Sequence, residues 1–322
     1  MKRVAVLDDY QGVATEYGDW SRLDGRVEVT AFRDHLADDD DLVERLRGFP
    51  IVVAMRERTP FPRQVLERLT DLELLVTTGP FNAAIDIVAA AELGIVVCGT
   101  GGVAFNTSEH TWALILACAR HIPTEDRNVK TGGWMTTVGT DLYGHTLGLL
   151  GAGRLGGAFG REVLAPRDDV HAEGRAHSRH RAAEIGATLV DRDELFQASD
   201  VLSVHLVLSE RTRGIVGRRE LDLMKPSAIL VNTSRGPIVD EDALVEALEQ
   251  RKIRSAGVDV FEVEPLPSDH PFRSLDNMIC TPHLGYVTED CYRVFFGDVV
   301  EDIEAFLDGQ PVRRVEPAPQ QR

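Results

Sequence analysis

A short apolar strand that runs directly into a glycine-rich turn is the feature of this chain that most constrains its fold. Thr146-Leu147-Gly148-Leu149-Leu150 is followed at once by Gly151-Ala152-Gly153-Arg154-Leu155-Gly156, and a helical stretch then extends to Leu164. Glycines at this spacing allow a tight turn and a close approach of the backbone to a ligand. Strand, turn and helix together predict the opening unit of a doubly wound α/β sheet, and an ordinary glycine-rich turn is the weaker interpretation.

Strand-like and helix-like patterns alternate along most of the chain, as they do in parallel sheets with crossover helices. The 322 residues are enough for two domains of ~150 residues each. A glycine-rich break at Gly99–Gly102 and a last helical pattern, Glu289–Leu307, without a sheet of its own predict a discontinuous arrangement. We expect residues 1–102 with 288–322 to form one α/β domain and residues 103–287 the second, each with a parallel, Rossmann-like or flavodoxin-like sheet.

Local patterns predict the individual elements on both sides of this break. The first third is expected to contain strands near Arg3–Leu7, Val27–Ala31, Ile51–Met55, Leu74–Thr77 and Ile95–Cys98. After the break, the strongly apolar run Thr107–Arg120 predicts a long buried helix. Ser108 is the expected N-cap of this helix.

Charge and cysteine content exclude several kinds of partner. The formal net charge of −17 repels phosphate backbones and anionic lipids, so we expect neither nucleic acid nor membrane as a partner. The first apolar run is too short for a signal peptide and is interpreted as a strand. The cysteines lack Cys-x-x-Cys spacing, which predicts reduced thiols in a cytoplasmic protein and no metal site; they are Cys98, Cys118, Cys280 and Cys291.

Three apolar strands in the second half of the chain each end near a different ionisable residue. The strands Ile229–Asn232, Ala256–Val260 and Met278–Cys280 lead to Arg235, Glu264 and His283. Taken singly, these are an arginine at a strand end, a surface acid and a turn histidine. In an open α/β sheet, however, ligands bind beyond the carboxyl ends of the strands. A cation, an acid and an imidazole delivered to that edge therefore predict a reaction centre.

The glycine-rich turn also predicts the kind of cofactor, because a helix N-terminus after such a turn accepts the pyrophosphate of a dinucleotide. An acid about 20 residues further on binds the ribose of NAD, and Glu173 is a candidate for that role. Gly174 and Arg175, followed by Ser178 and Arg179, favour a 2′-phosphate instead, and hence NADP over NAD. A solvated basic loop is the alternative.

Four segments, in this order and spacing, resemble the D-isomer-specific 2-hydroxyacid dehydrogenase family. They are Leu149–Gly156, Asn232–Pro237, Gly257–Pro265 and Thr281–Gly285. The resemblance covers essentially the whole chain. It implies a bilobed homodimer with the cofactor in the cleft between the domains, and transfer of hydride between NAD(P)H and a small 2-oxo or D-2-hydroxy acid.

The resemblance also implies separate roles for the three residues at the strand ends. Arg235 is expected to bind the substrate carboxylate and carbonyl, and His283 to act as general acid and base. Glu264 should orient this imidazole and favour its protonated form. The backbone amides of Thr78 and Gly79 are expected to meet the substrate carboxylate.

The same comparison implies a set of residues around the cofactor. These are Gly151, Gly153, Arg154, Leu155, Gly156, Gly174, Arg175, His205, Thr212, Thr233, Ser234, Asp259 and Gly285. Gly174 stands where NAD-preferring members carry Asp, and Gly174-Arg175 is similar to the glyoxylate/hydroxypyruvate reductase branch, which uses NADPH.

Two arginines after a strand of the first domain are further substrate candidates. Arg56 and Arg58 flank Glu57, and either cation would supply local positive charge that the acidic chain otherwise lacks. The alternative is that Glu57 pairs with both at the surface.

Two other functions remain open at this stage. One is an NAD(H)-sensing corepressor with the same fold. The other is a dehydrogenase of another small acid, formate or phosphite, although the formate branch has Gln where Glu264 stands. Turnover of a 2-oxo acid would separate the enzyme from the sensor.

Overall fold

The computed structural model describes residues 1–151, 170–173 and 184–317, with the backbone alone for 170–173. The chain divides into two compact units. Unit 1 consists of Met1–Val103 and Thr288–Arg322, and unit 2 of Ala104–Val287. Each unit is built on one sheet whose paired strands are parallel. The predicted α/β fold class is therefore confirmed.

The strands of the described residues are β1 (Lys2–Val6), β2 (Val27–Ala31), β3 (Ile51–Ala54), β4 (Leu74–Thr77), β5 (Val96–Gly99), β6 (Leu147–Leu150), β7 (Val170–Glu173), β8 (Thr188–Leu189), β9 (Val201–Val204), β10 (Ile229–Asn232), β11 (Ser255–Val258) and β12 (Met278–Cys280). The α-helices of the same described residues are α1 (Asp39–Leu46), α2 (Arg63–Leu66), α3 (Ile87–Glu92), α4 (Asn106–Arg120), α5 (Ile122–Lys130), α6 (Arg192–Ala198), α7 (Arg218–Leu223), α8 (Glu241–Glu249) and α9 (Glu289–Leu307). Among the described residues, no helix combines the length and apolarity that a bilayer crossing requires.

The sheet of unit 1 has the strand order β2-β1-β3-β4-β5. Every residue of β3 and β4 is buried, because helices cover both faces of a parallel sheet and its strands become continuous apolar runs. The final helix, α9, packs against β4 and buries Phe295, Phe296, Val299 and Val300. A sheet of this kind leaves its carboxyl edge as the place for ligands.

The sheet of unit 2 has the strand order β12-β11-β10-β9-β6-β7-β8. The chain starts in the middle with β6, moves outward through β7 and β8, and then returns to β9 on the other side of β6. This is the doubly wound order of dinucleotide-binding folds, with one further strand, and its crevice lies where β6 and β9 diverge. Helix α4 packs on β10 and β11 through Leu114, Ile115 and Cys118.

The start of α4 differs from the sequence prediction. The helix begins at Asn106 with Phe105 at the N-cap, and Thr107 N donates to Asn106 Oδ1 at 2.8 Å. The predicted cap, Ser108, lies within the first turn and is buried. Its hydroxyl has no hydrogen-bond partner in the part of the chain that the structure describes. The asparagine two residues earlier is the polar side chain at the true start of the helix.

A buried carboxylate on α9 makes the stability of unit 1 depend on pH. Asp302 is 0% exposed, and its Oδ1 accepts a hydrogen bond from Arg313 Nε at 3.1 Å. Its Oδ2 has no hydrogen-bond partner among the described residues. Burial raises the pKa of Asp302 to about 7, although the charge of Arg313 opposes the shift. Between about pH 4 and about pH 7 the folded chain therefore holds a proton that the unfolded chain releases.

We expect the stability that this proton provides to be complete below about pH 4 and to be lost as the pH rises through about 7. Asp302→Asn removes the titration, so its melting temperature relative to the wild type should rise between about pH 5 and about pH 8. Thermal unfolding of both proteins across that range measures the difference. Asp308→Asn, which changes an exposed carboxylate just beyond the same helix, is the control. A difference for Asp302→Asn that stays constant with pH would contradict the assignment.

Candidate active site

The carboxyl edge of the unit 2 sheet carries the ionisable residues that follow β10, β11 and β12. These strands are neighbours in the sheet. Their last residues are paired in register: Asn232, Val258 and Cys280. Within six residues of these strand ends the chain reaches Arg235, Glu264 and His283. The three loops therefore leave the sheet side by side.

His283 and Glu264 form a hydrogen-bonded pair. His283 Nδ1 donates to Glu264 Oε2 over 2.7 Å, and Glu264 Oε1 accepts from Phe261 N at 2.9 Å. An ionised carboxylate can only accept, so Nδ1 carries the hydrogen and Nε2 is the nitrogen available to a substrate. The Tyr286 ring packs edge-on to the imidazole, with centroids 5.4 Å apart. This arrangement orients the imidazole for proton transfer at Nε2.

Asp259, just beyond the end of β11, holds the loop that carries His283. Its Oδ1 accepts hydrogen bonds from Thr281 Oγ1 at 2.5 Å and from Leu284 N at 2.7 Å. Its Oδ2 accepts from Gly285 N at 2.8 Å. These bonds fix the main chain on both sides of His283, whose φ of 56° lies in the left-handed region that few residues other than glycine adopt.

His110 of α4 adds a further contact to this carboxylate, with Nε2 3.2 Å from Asp259 Oδ1. Burial would raise the pKa of Asp259, but the hydrogen bonds from His110 and Thr281 outweigh burial and lower it. Asp259 is therefore an anion whose oxygens are occupied within unit 2. Among the described residues Asp259 holds the loop of the imidazole, and its predicted place beside the cofactor stays a prediction.

Arg235 begins the tight turn that follows β10. Asn232 supports this turn from inside, since its Nδ2 donates to Arg235 O at 2.9 Å and its Oδ1 accepts from Ser234 N at 3.0 Å. Gly236, which follows Arg235, has no room for a side chain, because a Cβ there would overlap the main-chain carbonyl of Phe261. The glycine thus brings the turn that carries Arg235 against the segment that follows β11.

Gly151 and His205 lie at the point where the strand order reverses. Gly151 has a φ of 102°, and a Cβ there would lie 2.7 Å from the carbonyl oxygen of His205. His205 N donates to Leu150 O at 2.9 Å, and its Nε2 lies 2.8 Å from Ser203 Oγ. Burial lowers the pKa of His205 to about 4, so the ring is neutral near pH 7. A glycine turn without space for a Cβ at this crevice fits a dinucleotide that approaches the backbone closely.

The remaining cofactor candidates of unit 2 are engaged inside the unit. Thr233 Oγ1 lies 2.8 Å from Thr111 Oγ1, and Ser234 Oγ donates to Val204 O at 2.7 Å. Thr212 Oγ1 donates to a carbonyl oxygen five residues earlier, at 2.7 Å. Their side chains shape the edge of the sheet, and their roles toward a cofactor stay predictions.

Several predicted cofactor contacts lie outside the described residues. They are Gly153, Arg154, Leu155, Gly156, Gly174 and Arg175. Their assignments therefore remain predictions from the sequence.

In unit 1, the amides proposed for the substrate carboxylate are already occupied. Thr78 N donates to Ala54 O at 3.0 Å, and Gly79 N donates to Thr100 Oγ1 at 2.6 Å. Thr78 is fully buried, and its hydroxyl oxygen accepts from Arg56 N at 2.9 Å. The role of these two amides therefore stays a prediction, and it requires the substrate carboxylate to displace an existing acceptor.

Arg56 and Arg58, which the sequence did not separate, have different surroundings. Arg56 Nη2 lies 3.6 Å from Glu57 Oε2, and its Nη1 donates to Thr78 O at 3.3 Å. The same guanidinium covers Gly79. Arg58 donates to Asp8 O at 3.1 Å, and its guanidinium carbon lies 4.8 Å from the centroid of the Tyr10 ring. Arg56 is thus next to the Glu57 carboxylate, and the neighbours of Arg58 include a main-chain carbonyl and an aromatic face.

Sequence reasoning missed His110 and Tyr286. His110 is a polar residue inside the apolar pattern of Thr107–Arg120, and that interruption is the signal that could have found it. Tyr286 directly follows the segment Thr281–Gly285, but no sequence pattern indicates an edge-on contact between two rings.

The strand order of unit 2, its glycine turn and the imidazole–carboxylate pair at the same sheet edge are typical of dinucleotide-dependent oxidoreductases with an α/β fold. The sequence profile of the D-isomer specific 2-hydroxyacid dehydrogenase NAD-binding domain matches residues 112–285. The chain belongs to this family, and the resemblance predicted from the four segments is confirmed.

Relatives in this family carry several names. The chain is 37% identical over 277 residues to a D-3-phosphoglycerate dehydrogenase of Archaeoglobus fulgidus, covering 85% of this chain and 52% of that protein. It spans about half the length of the first curated relatives that it matches. It is 35% identical to a hydroxypyruvate reductase of Thermotoga maritima, covering 94% and 97% of the two chains. Among solved structures, a phosphoglycerate oxidoreductase from Vibrio cholerae is similar, with a TM-score of 0.91, 36% identity, and coverage of 96% of this chain and 100% of that chain.

Proposed function

We propose that the protein is an NAD(P)-dependent oxidoreductase that interconverts a small 2-oxo acid and its D-2-hydroxy acid. The observation that carries the proposal is the 2.7 Å contact between His283 Nδ1 and Glu264 Oε2 at the carboxyl edge of a sheet in dinucleotide-binding order. When bound, the nicotinamide supplies hydride to the carbonyl carbon C2. His283 Nε2 then donates a proton to the carbonyl oxygen, and in the reverse direction it removes that proton.

Glu264 and Arg235 have complementary parts in this proposal. Glu264 holds the imidazole in one orientation and stabilises its positive charge before the proton leaves. Arg235 grips the substrate carboxylate with its planar fork and polarises the carbonyl. The hydrogen bonds from its loop to Asp259 keep His283 in place, so the position of the imidazole is set before the substrate binds. In unit 1, we propose Arg58 as the cation that contacts the substrate.

The cofactor is proposed to be NADP in preference to NAD. The support is the pair Gly174-Arg175, in which a glycine stands where NAD-preferring members of the family carry Asp and an arginine follows it in the sequence. Arg154 and Leu155, in the turn between Gly151 and Gly156, would present their amides to the pyrophosphate.

We expect Arg175→Ala to weaken NADPH binding by about 10- to 100-fold, because a charge-assisted hydrogen bond to the 2′-phosphate is lost. NADH binding should change little. Tryptophan fluorescence titration of both cofactors measures the two dissociation constants. Glu173→Ala is the matched variant: if it weakens NADH while Arg175→Ala leaves NADPH unaffected, the cofactor is NAD.

A homodimer is proposed on the basis of an exposed apolar segment in unit 2. Trp134, Met135, Val138 and Tyr143 are each at least 75% exposed in a stretch of chain without regular secondary structure. Apolar side chains exposed together mark an interaction surface.

A cytoplasmic location is proposed from the cysteines, none of which is in a disulfide.

The activity is tested by mixing the protein with NADPH or NADH and a panel of glyoxylate, hydroxypyruvate and pyruvate. Separate reactions contain NADP⁺ or NAD⁺ with formate or phosphite. We expect oxidation of NADPH with at least one 2-oxo acid. Cofactor binding without turnover would favour the sensor, and reduction of NAD(P) by formate or phosphite would favour the other alternative.

A further inference from the structure

The carboxyl edge of the unit 1 sheet holds a second cluster of ionisable side chains, centred on Asp8. Asp8 follows β1, which lies between β2 and β3 in the sheet. His35 belongs to the loop after β2, and Thr59 to the loop after β3. The loops of three adjacent strands therefore meet at one carboxylate, which is 1% exposed.

Both oxygens of this carboxylate are held. Oδ1 lies 2.9 Å from His35 Nδ1 and accepts a longer hydrogen bond from Tyr10 OH at 3.4 Å. Oδ2 accepts from Thr59 Oγ1 at 2.6 Å. A buried charge needs such partners, and here they come from three separate loops. The Asp8 side chain is thus fixed from three directions.

The main chain of Asp8 has a left-handed conformation that also needs support from its surroundings. Its φ is 56°, in the left-handed region that L-residues adopt only when their surroundings hold them there, although aspartate tolerates it better than most. In this conformation the carbonyl oxygen of Asp8 accepts a hydrogen bond from Arg58 Nη1 at 3.1 Å. We call the contacts of His35, Thr59 and Tyr10 with the Asp8 carboxylate the clamp. The residue that the clamp holds is therefore the one whose carbonyl oxygen binds Arg58.

Arg58 is fixed on other sides as well. Its guanidinium lies over the Tyr10 ring, 4.8 Å from the centroid, which is a favourable cation–π distance. It is also close enough to Tyr292 to oppose the rise that burial causes in the pKa of that phenol.

We propose that Asp8 is a positioning residue for Arg58. The clamp by His35, Thr59 and Tyr10 keeps Asp8 in its left-handed conformation, and its carbonyl then aims the Arg58 guanidinium at the substrate. This inference rests on the proposed function, in which Arg58 contacts the 2-oxo acid. It gives Asp8 and His35 a role without contact to the substrate.

The test compares KM and kcat in a double-mutant cycle, with the 2-oxo acid that the wild type reduces. Asp8→Ala, which removes the clamp and disfavours the left-handed backbone, should raise KM about tenfold and leave kcat within about twofold. Asp8→Asn, which keeps both the backbone preference and an acceptor for Thr59, should restore KM to within about threefold. In an Arg58→Ala background, Asp8→Ala should change KM no further, because its effect passes through Arg58.

His35→Ala is the second variant, since it leaves Asp8 in place and guards against misfolding of Asp8→Ala. It should raise KM about threefold, and this rise should also vanish in the Arg58→Ala background. Asp34→Ala, an exposed neighbour that pairs with Arg45, is the control and should leave KM unchanged.

Equal effects of Asp8→Ala on KM with and without Arg58 would overturn the inference, as would an unchanged KM in both Asp8→Ala and His35→Ala. Either result, with a wild type that turns over, leaves the proposed dehydrogenase activity intact. A wild type that reduces no 2-oxo acid would overturn both.

Discussion

Replacing His283 with alanine is expected to lower the rate of hydride transfer by about 10²- to 10⁴-fold. The physical reason is that the carbonyl oxygen gains negative charge as hydride reaches C2 and needs a proton at that moment. A positioned acid supplies that range of acceleration. Single-turnover mixing of the enzyme–NADPH complex with a 2-oxo acid, followed by nicotinamide absorbance, measures the rate without product release.

The chain offers a matched control for this prediction. His270 also pairs with a glutamate, Nε2 to Glu241 Oε2 at 3.2 Å, and it lies in the segment that leads into β12, whereas His283 follows this strand. His270→Ala should leave the single-turnover rate within about threefold of the wild type. Glu264→Gln keeps a hydrogen-bonding side chain but loses the charge, so an intermediate loss is expected. A decrease of less than tenfold for His283→Ala would remove this residue from proton transfer.

Arg235→Ala should reduce kcat/KM by about 10²- to 10⁴-fold. Two charge-assisted hydrogen bonds from the guanidinium to the substrate are lost, each contributing about 1.5–3 kcal/mol. Because the same cation polarises the carbonyl, kcat should fall together with the rise in KM. Steady-state kinetics at saturating cofactor, with the 2-oxo acid varied, measure both constants.

Arg235→Lys separates the charge of this residue from its shape. A lysine keeps the positive charge but cannot form the bidentate fork, so we expect it to recover only about tenfold of the lost kcat/KM. Arg219→Ala, which removes an exposed arginine paired with Asp193 at 2.6 Å, is the control and should behave like the wild type. An Arg235→Ala variant with wild-type kcat/KM would show that the substrate is held elsewhere.

The sequence was informative wherever a pattern is periodic or local. The strands Val27–Ala31 and Leu74–Thr77 and the helix Glu289–Leu307 have the predicted bounds. Leu74–Thr77 is an apolar run buried on both faces and the helix is a long amphipathic repeat, and both patterns leave little choice. Loops at neighbouring strand ends were also predictable, since parallel strands deliver their carboxyl ends to one edge. This is why the meeting of Glu264 and His283 could be expected from residues that are 19 apart in the chain.

Contacts that depend on a loop's path could not be predicted. Whether the amides of Thr78 and Gly79 are free depends on Ala54 and Thr100, and a sequence does not show which acceptor lies opposite a given N–H. The same applies to Asp259, whose partners come from a following loop and from α4. Arg56 and Arg58 looked equivalent because only the fold shows that Arg56 contacts Thr78 O and that Arg58 contacts Asp8 O and the Tyr10 ring.

The central claim, hydride transfer to C2 with D stereochemistry, is tested most directly with NADPH that carries deuterium at the transferable C4 position. Incubation with the 2-oxo acid that the enzyme reduces, followed by mass spectrometry and chiral separation of the product, locates the label and gives the configuration. The account predicts deuterium bonded to C2 of the D-2-hydroxy acid. An unlabelled product, or a labelled L-isomer, would contradict it.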